Sequence, residues 1–329
     1  MKATGRILTI TLLLISSAFI SKAQSNTATP VSAATLTFSD YAPLPQRIIY
    51  SSYAADGQYL YSLNGLLFNK RVSPAALRYN PVNNQWQQIT DRLMPKLNAA
   101  SIYVPSVHKI YIMGGTKAYS TGLFYQIETV DTQTGQVAIL KTENPNPQIN
   151  CAMAVWNNKI YLFGGSASGY ASSRLYEFDV ATEKFKRLKD MPYNAQTSGT
   201  VVNGILYTFG GHNPYNNFMF NDIYAYDIAA NSWKHAGKLP SQVSATSIAQ
   251  LGKYIYVTGS YGDPDFFGCF NTENNKFTKL KTNMEGRRFA SSGVIGSKLF
   301  VYGGSSTIID PGVIKVQGAD LTPMLSAQE

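Results

Sequence analysis

Three histidines, two cysteines and three tryptophans are all that 329 residues provide of these types, and charged side chains make up only 14%. Cys151 and Cys269 alone cannot build a disulfide framework, a Cys-x-x-Cys redox pair or a zinc cage. No Gly-Lys-Ser/Thr phosphate loop and no Gly-x-Ser-x-Gly nucleophile turn is present. Asp263 and Asp265 lie close together, but calcium takes roughly 6–8 oxygen ligands and no further carboxylates accompany them. No cofactor and no metal is therefore expected.

Long apolar runs are missing too, with one exception at the start. Lys2 and Arg6 precede the apolar stretch from Ile7 to Ile15, and small residues follow up to Ala23. A bilayer span needs about 20 apolar residues, and Ser16, Ser17, Ser21 and Lys22 arrive too early. This order reads as a secretory signal at 1–23 with cleavage after Ala23. No cysteine stands near the cut, so no lipid anchor is expected. A periplasmic or secreted protein follows, with a flexible stretch at 24–34.

The chain carries a formal +9, which falls to +6 once Lys2, Arg6 and Lys22 are removed. The densest basic run, Lys184 to Lys189, has no nucleic-acid motif beside it. Lysine on an outer strand blocks edge-to-edge pairing, and that is how the run is read. No nucleic-acid partner is expected.

What the chain has in quantity is tyrosine (22), phenylalanine (16) and glycine (26). Aromatics suit half-buried pleated surfaces and glycine suits tight turns. They also repeat. Ile110-Tyr111-Ile112-Met113-Gly114-Gly115 returns as Ile160 to Gly165, Leu206 to Gly211, Ile255 to Ser260 and Leu299 to Gly304, with a degenerate first copy at Leu60 to Gly65. Copies recur every 44 to 50 residues, the length of one four-stranded blade. A second element joins Asp or Asn to a bulky residue at fixed spacing: Asn80…Trp86, Asp131…Val137, Asp179…Phe185, Asp227…Trp233 and Asn271…Phe277. An Asp or Asn that starts a turn bonds the backbone N–H groups just ahead, so this is a hairpin between third and fourth strands. A third element ends in proline, at Pro95, Pro147, Pro192 and Pro240, where the chain crosses to the next blade.

These residues resemble the kelch-repeat family over nearly the whole chain. The resemblance implies an all-β, six-bladed propeller over residues 35–320, with four antiparallel strands per blade and a C-terminal tail at 321–329. The sixth repeat lacks a fourth strand. Thr35 to Ser39 matches the fourth-strand pattern, so an N-terminal strand over 35–39 is expected to close the last blade, with strands near 290–295, 299–302 and 313–316 before it. On this arrangement the two cysteines stand too far apart to pair, and His108, His212 and His235 cannot converge on one ion.

The loops after each Gly-Gly pair open at the end where inner strands begin. That face gathers the candidate ligand-binding residues Arg47, Arg71, Tyr119, Tyr170, Arg174, His212, Tyr215, Tyr261, Asp263, Arg287 and Arg288, together with Lys70 and Asn217. Aromatic faces stack on sugars and arginine grips carboxylates. Two readings follow. One is a monomeric binding module that recognises a glycan, an acidic sugar or another protein. The other comes from a more distant similarity to the sialic acid mutarotases, and implies a cofactor-independent epimerase acting on N-acetylneuraminate or a similar acidic sugar. In it Arg47, Arg174, Arg287 or Arg288 would hold the carboxylate. Glu177 and Asp263 are the nearest carboxylates for proton transfer, and the catalytic residue stays unassigned.

Overall fold

Each repeat folds into one antiparallel sheet because alternating side chains on its aromatic-aliphatic strand face two neighbouring blades at once. The computed structural model describes residues 35–118, 120–307 and 312–322. Six four-stranded sheets form the blades, with strands in chain order from the axis outward except for the outermost strand of blade 6. Blade 1 comprises Ser52–Ala55, Leu60–Leu63, Ala76–Asn80 and Gln85–Thr90; blade 2 comprises Ala100–Val104, Lys109–Met113, Gln126–Asp131 and Val137–Glu143. Blade 3 is Ala152–Trp156, Lys159–Phe163, Leu175–Asp179 and Lys184–Arg187; blade 4 is Gln196–Val202, Ile205–Asn213, Phe218–Asp227 and Ser232–Lys238. Blade 5 holds Ser247–Leu251, Tyr254–Thr258, Phe267–Asn271 and Lys276–Lys279, and blade 6 begins with Ser291–Ile295, Lys298–Tyr302 and Val316–Asp320. Small residues dominate the first strands because six of them crowd one axis. Each touches the next, and that of blade 6 touches that of blade 1.

The glycine pairs do what the crowding requires. Gly114 and Gly259 have φ of +69° and +67°, and an added Cβ would come within 2.3 Å of the Gln148 carbonyl and 2.2 Å of the Arg287 carbonyl, both on the next blade. The hairpin acids act as expected: Asp131 Oδ1 accepts from the N–H groups of Gln133 and Thr134, and Asp179 Oδ1 from those of Ala181 and Thr182. Asn80 and Asn271 accept in the same way from Val82 and Glu273. The bulky hairpin partner bridges blades. Trp233 Nε1 donates to the Lys189 carbonyl of blade 3 at 2.9 Å, and Trp86 packs on Tyr302 of blade 6 at 5.7 Å.

The last blade closes with an N-terminal strand, though not in the expected register. Ser39–Tyr41, not residues 35–39, pairs with Val316–Asp320. Residues 36–38 are occupied otherwise: Leu36 bridges Thr282, the Phe38 ring meets Phe267 at 5.6 Å, and Asn283 brackets the Phe38 backbone with two hydrogen bonds. Two buried apolar side chains against blade 5 outweigh ladder bonds near an exposed edge. The third strand of blade 6 likewise runs over 316–320 instead of 313–316, because Tyr302 pairs with Val316 and Lys298 with Asp320. Leu321, just beyond it, is buried beside Leu299 and Val301. Cys151 and Cys269 are both buried and unpaired, and burial pushes each thiol up to about 12. Among the described residues no helix is long and apolar enough to cross a membrane.

Candidate functional site

Convergence of the six first strands leaves a channel of about 850 Å³ along the axis. Its wall is rich in serine, threonine and alanine where the first strands crowd together, with larger side chains such as Tyr53, Ile102, Met153 and Ile248 among them. Hydroxyl pairs tie neighbouring blades there, Ser247 to Ser292 and Ser198 to Thr246, each at 2.6 Å, and Ser247 of blade 5 also reaches past blade 6 to the Tyr53 phenol of blade 1 at 3.2 Å. Burial raises the Tyr53 phenol above its usual value.

One mouth of the channel has an unusual backbone. Tyr50, Asn98, Asn150, Ala245 and Phe289, each just ahead of a first strand, have φ between +50° and +57°. The left-handed conformation costs an L-residue roughly 1–2 kcal/mol, and such strain collects at functional sites. It is held by bonds between blades: the Asn98 N–H donates to the Tyr50 carbonyl, Asn150 to Asn98, and Phe289 to Ala245. The residue after each Gly-Gly pair bridges the same segment, as in Thr116 with Leu97 and Ser166 with Ile149. The two sets of loops therefore share this end of the propeller.

The mouth is chemically two-sided. Blades 5, 6 and 1 supply Tyr261, Phe289 and Tyr50, whose rings meet edge to face at 6.2 and 5.7 Å. Blades 2, 3 and 4 supply Asn98, Asn150 and Gln196, with His212 and Asn217 beside them, the imidazole Nε2 lying 3.0 Å from Asn217 Oδ1. Among the described residues the lining contains no lysine, arginine or glutamate. Its one acid among them, Asp56, lies at the end of blade 1's first strand, and accepts from the N–H groups of Gln58 and Tyr59 and from the Tyr61 hydroxyl.

Of the residues expected from sequence, His212, Asn217 and Tyr261 reach this mouth. Tyr170 and Tyr215 stand next to it on hairpins of blades 3 and 4, stacked at 5.0 Å and exposed by 63% and 70%. Arg288 sits with its guanidinium carbon 4.7 Å over the Tyr261 ring, outside the channel wall. Arg47 donates to the Gly312 carbonyl, Arg174 to Asn146, and Asp263 pairs with Lys279 at 2.9 Å. Lys70 and Arg71 lie on an exposed loop of blade 1. Tyr119 lies outside the described residues. Arg287 is not on the face: it is fully buried, donating to the carbonyls of Glu285, Gly303 and Lys315 and to Gln317 Oε1. Glu177 is also drawn away, bound to Lys159 and the Tyr161 hydroxyl within blade 3. Tyr50, Asn98, Asn150, Gln196 and Phe289 escape a reading of the sequence. Apart from the two asparagines they share no residue type, and only their place at or just before each first strand marks them.

A closed ring of six antiparallel blades around a polar channel defines a six-bladed β-propeller with its candidate site on the axis. The repeats that build it match the KLHDC2/KLHL20/DRC7 Kelch-repeats domain over residues 49–262, and the chain belongs to the kelch-repeat family. It is similar to Kelch domain-containing protein 10 of Bos taurus, 23% identical over 228 residues, covering 63% of this chain and 52% of that protein. Kelch-like protein 23 of Homo sapiens is 25% identical over 189 residues, covering 56% of this chain and 32% of that one. The chain thus spans about half, or less, of the length of these curated relatives. Among solved structures, that titled "Structure of YjhT" superposes with a TM-score of 0.72 at 15% identity, over 84% of this chain and 95% of that one. At that identity the likeness is one of fold.

Proposed function

We propose that this propeller is an exported binding module that receives a glycan or protein partner at the channel mouth. The observation that carries the reading is the mouth itself. It is an open cavity of about 850 Å³ where loops from every blade converge on strained backbone, and most ligand sites are concave, largely pre-formed and lined by few polar groups. Kelch propellers commonly serve as interaction modules, which supports the coarse reading. Blocking the mouth tests it. Asn98→Trp and Gln196→Trp should both leave the propeller folded, Asn98→Trp with the lower melt because a φ of +56° disfavours a bulky residue, and abolish binding to whatever glycans or peptides the wild-type propeller retains on arrays. Retention of those ligands by both blocked variants would sink the proposal. Export belongs to the same proposal. It concerns residues outside the described ones, and N-terminal sequencing of protein recovered from the periplasm should begin at Gln24.

The mutarotase reading rests on His212, an imidazole at the mouth able to carry a proton. It is the weaker reading, because an acidic sugar wants an arginine fork, whereas Arg287 is spent on backbone carbonyls and Arg288 lies over the Tyr261 ring outside the channel wall. Proton NMR of freshly released N-acetylneuraminate decides it. An α-to-β relaxation unchanged by catalytic amounts of protein would dismiss that activity.

A further inference from the structure

Resting on the reading of the mouth as a binding site, we infer that its ligand is an uncharged pyranose sugar, held with its C–H face on an aromatic arc and its hydroxyls on an amide arc. A pyranose has that two-sided character: carbon-bound hydrogens form an apolar patch, and the rim carries hydroxyls that both donate and accept. Aromatic rings pack on the first, and amides, with two donors and one acceptor oxygen, bond the second. The mouth separates the same two chemistries by blade. Tyr261, Phe289 and Tyr50 come from three consecutive blades, and Asn98, Asn150 and Gln196 from the opposite three.

Two of the three amides are available, while Gln196 Nε2 already donates to Ser166 Oγ at 2.6 Å. The Asn98 and Asn150 side chains make no hydrogen bond among the described residues, although each backbone is locked by neighbouring blades. An amide held at fixed position with its bonding capacity unspent is prepared for a ligand's polar groups. Charge narrows the class further. In a chain with a formal +9, a cavity of about 850 Å³ has no lysine or arginine in its wall among the described residues, and the one carboxylate among them is already engaged by three donors. Inside the wall an anionic sugar would find no cation among the described residues, since Arg288 lies over the Tyr261 ring outside it, and the sugar would lose hydration with nothing there to replace it. An uncharged sugar incurs no such loss. The stacked Tyr170 and Tyr215 rings beside the amide arc suit the next residue of a chain whose terminal sugar occupies the mouth.

Saturation-transfer NMR tests this on the full propeller, with methyl glycosides of glucose, galactose, mannose and N-acetylglucosamine beside N-acetylneuraminate. At least one neutral glycoside should receive saturation at its ring protons, with an affinity that stays within about twofold between roughly 50 and 500 mM salt. Tyr261→Ala, and the pair Asn98→Gly with Asn150→Gly, which keeps the left-handed backbone at both sites, should each weaken it by about tenfold or more while the propeller stays folded. Saturation of N-acetylneuraminate alone, or of no sugar at all, overturns the inference. If Asn98→Trp still abolishes capture of an acidic or peptide ligand, the mouth stands as the site and only the ligand class has failed. If a neutral glycoside binds equally well to the blocked variant, the mouth itself is wrong.

Discussion

At the scale of single residues, the charges that matter are those the fold has withdrawn from water. Lys96 follows the Met94-Pro95 turn, and its Nζ lies 2.7 Å from Glu128 Oε2, with both side chains fully buried. The two atoms have no other hydrogen bond, and the ammonium faces the Phe124 ring at 4.9 Å. Burial lowers the Lys96 pKa, against the opposing pull of Glu128. Glu128 Oε1 also accepts from the Met94 N–H, so the pair pins the crossing from blade 1 to blade 2. Removing one partner of such a pair strands a buried charge, at a cost of about 3–5 kcal/mol. Lys96→Met should lower the urea midpoint accordingly. Lys96→Met with Glu128→Gln, which keeps the acceptor for Met94 and removes the charge, should recover most of the loss. A double variant no more stable than the single one would show that the ion pair itself stabilises the fold. Arg287 is a second withdrawn charge: burial brings its guanidinium down to about 10, and its bonds run through Gln317 to Asp40 on the closing strand.

At the scale of the element, the hairpin between third and fourth strands is set by one side-chain oxygen. Asp131 and Asp179 are both held below the usual carboxylate range, first of all by the N–H groups of Thr134 and Thr182. A carboxyl lowered in the folded state contributes stability that is complete above its unfolded value of about 4 and is lost as pH falls through the folded one. Both groups are exposed, so each contribution is small. Asn80 and Asn271 hold equivalent turns without a charge. Asp131→Asn with Asp179→Asn should therefore leave the neutral-pH melting temperature nearly unchanged and flatten the acid limb of a melting-temperature profile between about pH 5 and 2. An acid limb as steep as wild type would place the acid sensitivity elsewhere.

At the scale of the whole molecule, closure decides stability. Ser39–Tyr41 completes blade 6, while Leu36 and Phe38 fill the space against blade 5. Burying two such side chains contributes about 3–6 kcal/mol, and the propeller leaves few exposed edges only when the ring is complete. Deletion of residues 35–41 should lower the melting temperature by roughly 10 °C or more. A melt unchanged by the deletion would mean that the ring holds without its clasp.

The blades were legible in the sequence because they are local and repeated. A glycine pair ending an aromatic strand, an acid starting a turn and a proline at the crossing each act within a few residues, and their recurrence every 44 to 50 residues counted the blades. The need for an N-terminal closing strand followed from a sixth repeat one strand short. Its register did not, because Leu36 and Phe38 chose blade 5 over the ladder, a contact separated by more than 240 residues. The site was legible only at its loop tips. Arg287 and Arg288 are adjacent and alike, yet in extended chain neighbouring side chains take opposite sides, and packing sent the first inward and left the second over Tyr261. The aromatic and amide arcs consist of single residues from six distant repeats. Nothing in any one repeat distinguishes them, and only the closing of the ring brings them around one axis.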